Sequence, residues 1–137
     1  MFGAPRNPIS AYASVNVETS IAEASPHALV LLLFDGAVQA CIDARLHMQR
    51  NEIPEKGSAI SKAINIVTNG LKASLDMESG GELAERLAAL YDYISERLLY
   101  ANLKNQSAIL DEVVSLLTDL RDAWAQIAPE RQQVAAA

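Results

Sequence analysis

Apolar residues recur along this chain in four blocks, stepping by three or four, with polar residues between them. The first block is the densest: residues 28–34 contain no polar side chain. Ser25-Pro26 opens it, because a Ser oxygen can accept a hydrogen bond from an orphan amide and Pro at the first helical position forfeits none. The spacing predicts a helix over 26–50, ending near Asn51. A helix this apolar is buried on more than one side or keeps a face for a partner. The second block, Ile60, Ile64, Val67, Leu71 and Leu75, predicts a helix over 54–79, with Gly80-Gly81 closing it in the left-handed conformation. The third, Leu83, Leu87, Leu90, Ile94, Leu98 and Ala101, predicts a helix from Glu82 to about 102–105. The fourth, Val113, Leu117, Leu120, Trp124 and Ile127, predicts a helix over 107–128, stopped by Pro129.

No alternating β-branched run occurs between turn signals, so no sheet is expected. Periods near 3.5 with short connections put consecutive helices side by side. The expected fold is all-α, an antiparallel up-down-up-down four-helix bundle over 25–128. Residues 1–24 hold isolated apolar residues (Ile9, Tyr12, Val15, Val17) without a sustained period, which predicts a mobile arm. Residues 129–137 read as a flexible tail.

Composition narrows the function. The chain has 137 residues, half of them hydrophobic, enough for one domain with a core. A net charge of −6 argues against nucleic acid and anionic membrane surfaces. The longest apolar run falls far short of a membrane span, and the first residues lack the plan of a signal peptide, so a cytoplasmic location is expected. Cys41 is alone, which excludes an internal disulfide, and it reads as a small core residue.

Catalytic patterns are missing. The paired Glu-x-x-His spacing of bundle metal sites does not occur, and His27 and His47 stand twenty positions apart. There is no phosphate-binding glycine loop and no nucleophile elbow. His27 reads as a packing or hydrogen-bonding residue of the first turn. No cofactor, metal or enzymatic activity is expected.

Two surfaces are candidates for a partner. Beside the core stripe of the second helix runs a weakly polar one: Ala59, Ala63, Ile66, Gly70, Ala73 and Met77. Small side chains let another backbone approach, so this stripe either packs against a second neighbour in the bundle or forms a shallow groove for a partner helix. The third helix carries Tyr91, Tyr93 and Tyr100, with Tyr93 and Tyr100 two turns apart on one side. Tyrosine suits an interface, having an apolar body and a polar tip, and equally suits the edge of a core.

Several segments together resemble a known family. They are Tyr12, Ala24-Ser25-Pro26-His27, Leu33-Phe34-Asp35-Gly36, Lys62-Ala63-Ile64, Leu75-Asp76, Gly80-Gly81-Glu82, Leu90-Tyr91-Asp92-Tyr93, Ala101-Asn102-Leu103 and Trp124. In order and spacing this set is similar to the flagellin-specific export chaperones of bacteria, over about residues 9–128. Phe34 departs from the pattern, which commonly has Tyr there. The resemblance implies a cytosolic helical bundle that binds the disordered C-terminal segment of flagellin. It would prevent premature polymerisation and keep the client competent for flagellar type III secretion. It also implies an N-terminal arm, here with Ile9 and Tyr12, that can occupy part of the client site. Export-apparatus components, and a second copy when the protein is empty, are further candidate partners. The competing reading is a helical adaptor or dimerisation module that uses the small-residue stripe on itself.

Overall fold

Ser25 starts the helical part of the chain. Its Oγ accepts a hydrogen bond from the Ala28 amide at 3.1 Å, and Pro26 takes the first helical position. The computed structural model describes residues 25–127; Ile9, Tyr12, the expected arm and the expected tail lie outside them. The helices are α1 Pro26–Gln49, α2 Ile53–Asn65, α3 Gly81–Lys104 and α4 Ser107–Gln126. A π-helical turn, Ile66–Leu71, and a 3-10 turn, Lys72–Ser74, prolong α2. No β-strand occurs among the described residues.

Side-chain pairs fix the helix directions. Arg121 late in α4 reaches Asp35 at 2.7 Å, while Asp111 at its start meets Arg45 at 3.1 Å, so α1 and α4 run antiparallel. Lys56 near the start of α2 reaches the end of α3, and Lys72 beyond it pairs with Asp92 at 2.7 Å, so α2 and α3 are antiparallel too. Each of α1 and α3 packs against both α2 and α4. This is the expected up-down-up-down bundle.

The core follows the predicted stripes. Leu33, Ala37, Ala40, Cys41 and Ala44 of α1 meet Ile60, Val67, Ile94, Leu98, Leu110, Val113 and Leu117. The alanines of α1 let neighbouring side chains reach the bundle axis, and each large aliphatic buried there contributes about 1.5–3 kcal/mol of transfer free energy. Cys41 sits among them, and burial pushes its thiol pKa up to about 12, so it behaves as a small hydrophobe.

One end of the bundle is closed by two turns of the same design. α1 ends with Asn51 at φ 58°, and the amides of Glu52 and Asn51 bond to the carbonyls of His47 and Met48. α3 ends with Asn105 at φ 56°, and the Gln106 amide bonds to the Ala101 carbonyl. Both are left-handed asparagine stops, and both supply donors to last-turn carbonyls that the helix cannot pair. Lys56, only 4 % exposed, ties the two turns together: its ammonium donates to the Asn102 carbonyl and to Asn105 Oδ1 at 3.2 and 2.9 Å.

The other end departs from the sequence reading. The second helix was expected to reach residue 79, but helical structure ends at Ser74 and Leu75 is extended. Asp76 supplies the reason: its carboxylate accepts from the amides of Glu78 and Ser79, and its carbonyl from Gly80, making a turn. Those bonds, Ser79's foremost, hold the Asp76 carboxyl below its ordinary pKa. The left-handed glycine is Gly81, at φ 53°, and it begins α3 instead of closing α2. α4 also stops slightly early, with Ile127 extended.

Candidate functional site

At this second end the four helices do not fill the space between them. An apolar cavity of about 220 Å³ opens there. Its walls include Phe34 of α1, Leu71 at the end of the α2 extension, Leu87 and Tyr91 of α3, and Leu120 and Trp124 of α4. Leu83 and Ile127, both exposed, stand at its rim. Sequence periodicity assigned most of these residues to core stripes. A stripe gives the direction of a side chain but not whether the helices converge enough to meet, and here they do not.

The chemistry of the cavity is that of a hydrophobic seat. Among its described lining residues the only hydroxyls are those of Ser74 and Tyr91, and none is an acid, base or thiol. Ser74 already donates to the Gly70 carbonyl at 2.6 Å, while burial raises the Tyr91 pKa far above its usual value, keeping the phenol neutral. Apolar walls of this kind favour an apolar guest over water. Beside the cavity, His27 and Trp124 clasp the start of α1 to the end of α4. Their rings stack at 5.7 Å. The His27 Nε2–H donates to the Trp124 carbonyl and the Trp124 indole N–H to the His27 carbonyl, each at 3.1 Å. His27 is thus the packing and hydrogen-bonding residue expected from its position.

The predicted partner residues fall into different settings. Ala63 and Ile66 lie in the core cluster and Gly70 is buried, because α2 is covered by both α1 and α3. Ala59 is half-buried and lines a shallow depression with Asp43, His47 and Lys62. Ala73 and Met77 are exposed. As folded here the small-residue stripe is therefore not one continuous open groove.

Tyr93 and Tyr100 are open, each 42 % exposed. Tyr93 donates to Glu112 Oε2 at 2.6 Å, and Arg97 binds the other Glu112 oxygen at 3.0 Å while lying 5.6 Å from the Tyr100 ring centroid. The Tyr93 hydrogen bond, with Arg97, lowers the Glu112 pKa; the same bond raises that of Tyr93. Next to the tyrosines, Leu99 and Leu103 are 59 % and 78 % exposed. Sequence reasoning missed these two leucines. The available signal was that both lie off the core stripe of the third helix, where a solvated face should be polar.

Among the described residues no group of three or more His, Cys, Asp or Glu could hold a metal ion, and no helix is long and apolar enough to cross a membrane.

Known proteins are similar to this chain in sequence. The family model for flagellar protein FliS matches residues 8–131. The flagellar secretion chaperone FliS of Salmonella typhimurium is 52 % identical over 122 residues, covering 89 % of this chain and 90 % of that protein. The FliS of Escherichia coli is 48 % identical over 114 residues, covering 83 % and 84 %. That of Vibrio cholerae is 37 % identical over 132 residues, covering 96 % of each. A helical bundle with an apolar cavity at one end, matched along nearly its whole length to these proteins, belongs to the FliS family of flagellar secretion chaperones.

Proposed function

We propose that this chain binds the disordered C-terminal segment of flagellin in the cytosol, keeping it from polymerising and ready for flagellar type III secretion. The observation that carries the reading is the apolar cavity, together with exposed apolar side chains on α3, in a chain of this family. A disordered client loses ordering entropy on binding, so it must bury a large apolar surface along an extended path. The cavity offers an anchor point, and Tyr93, Tyr100, Leu99 and Leu103 offer surface on the outside of the bundle. Ile9 and Tyr12 are assigned to an arm that competes with the client. Ala59 and Ala73 are assigned to its path, while Ala63, Ile66 and Gly70 would join it only if α2 shifted. The role is that of a chaperone without catalysis: the seat offers a guest apolar walls, a committed serine hydroxyl and a neutral phenol.

Native mass measurement of the full chain, with and without a flagellin C-terminal segment, tests this. A one-to-one complex is expected. A chain that ignores the segment and pairs only with itself would favour the adaptor or dimerisation reading and overturn this one.

A further inference from the structure

Among the described helices, α2 alone has a hydrogen-bond pattern that changes along its length. α1, α3 and α4 are α-helical throughout, over 24, 24 and 20 residues. α2 is α-helical to Asn65, π-helical over Ile66–Leu71 and 3-10 over Lys72–Ser74. In the wide turn the Lys72 amide bonds to the Val67 carbonyl, five residues back. In the tight turn the Leu75 amide bonds to the Lys72 carbonyl, three residues back. The amide that a continued π pattern would give to the Gly70 carbonyl is thereby diverted, and the Ser74 hydroxyl serves that carbonyl instead. A serine bonding back to the carbonyl four residues earlier often bends a helix.

The sequence does not force this geometry. No proline interrupts the stretch, and the apolar period continues to Leu75. A π turn holds one residue more than an α turn, and such turns concentrate at functional positions. Converting it to α pairing rotates everything beyond by one residue position, about 100°. Leu71, Ser74 and Leu75, which line the cavity, would all turn with it. Little on the outside resists: Thr68 bonds Ser95 and Lys72 pairs with Asp92, both at exposed positions.

We propose that residues 66–75 form a two-register hinge that sets the shape of the apolar cavity, with the Ser74–Gly70 hydrogen bond as its clasp. Under the proposed function a client would be its trigger. The hinge is tested in the free chain, so either idea can fail alone.

The experiment is residue-resolved amide hydrogen exchange on the full chain, with Trp124 fluorescence as a second readout of the cavity wall. Amides of residues 70–75 should exchange at least about 100-fold faster than those of residues 60–65 in the same helix. Ser74→Ala should speed exchange further at 70–75 and leave α3 unchanged. Deleting the exposed Asn69 removes the extra residue: protection at 70–75 should rise, and Trp124 emission should shift. Uniform protection along α2 in the unmodified chain would overturn the hinge. So would a folded Asn69 deletion with unchanged exchange and emission. If that deletion does not fold, the unmodified chain and Ser74→Ala decide: no excess exchange at 70–75, or no response to the lost hydroxyl, rejects the proposal.

Discussion

The two ends of this bundle solve the same problem in opposite ways. At one end, helices stop at Asn51 and Asn105 in matched left-handed turns, the connections are residues 50–52 and 105–106, and a buried lysine stitches them together. At the other, the connection is residues 75–80, α2 changes helix type before it stops, and an apolar cavity remains. Both ends are built from the same leucine-rich stripes. What differs is whether the backbone stops let the stripes converge. Under the proposed function the asymmetry divides the work: one end keeps the fold, and the other offers apolar surface to a client.

Truncations should separate the ends most sharply. Leu110→Ala removes a fully buried side chain next to the closed turn and should lower unfolding free energy by about 3–5 kcal/mol. Leu87→Ala, half-buried on the cavity wall, should lower it by less than about 2 kcal/mol, since less of its surface leaves water on folding. Urea unfolding of the two variants side by side checks this, and equal losses would erase the distinction.

Lys56→Ala should lower stability by about 2 kcal/mol, from the lost charged hydrogen bonds to the end of α3. It should leave the Trp124 response to a client unchanged, because the lysine lies away from the cavity.

At the open end His27→Ala should remove the stack and one of the reciprocal bonds with Trp124, a loss of about 1 kcal/mol. Thermal melting gives that number, and the Trp124 response to a client should change where that of the Lys56 variant does not.

The smallest effect is with pH. Asp76 and Glu112 both have lowered folded-state pKa values, so their contribution is present above the ordinary carboxylate range, about 4, and is lost as pH falls through the lowered values. Asp76→Asn together with Tyr93→Phe should flatten the acid limb of a stability–pH curve. An unchanged limb would show that neither group matters to it.

The closed end was largely legible in the sequence. The core stripes and the stops near Asn51 and Asn105 depend on local chemistry, as does the Ser25-Pro26 start at the other end. The open end was less so. Nothing in the period from Ile60 to Leu75 distinguishes an α from a π turn, because apolar spacing does not say which carbonyl each amide pairs with. Gly80-Gly81 signalled a left-handed residue, but the Asp76 turn had already ended α2, so the glycine serves the start of α3. Nothing in the sequence singles out Lys56; its burial depends on two carbonyl oxygens 46 and 49 residues away. The cavity was illegible for the same reason: it is a property of four helix ends together.

Trp124, the chain's single tryptophan, lines that cavity and offers the most direct measurement. Titrating the full chain with the C-terminal segment of flagellin, while following Trp124 emission, should give a saturable one-to-one change. Binding that leaves the emission untouched, or no binding at all, would contradict a client seated at the open end.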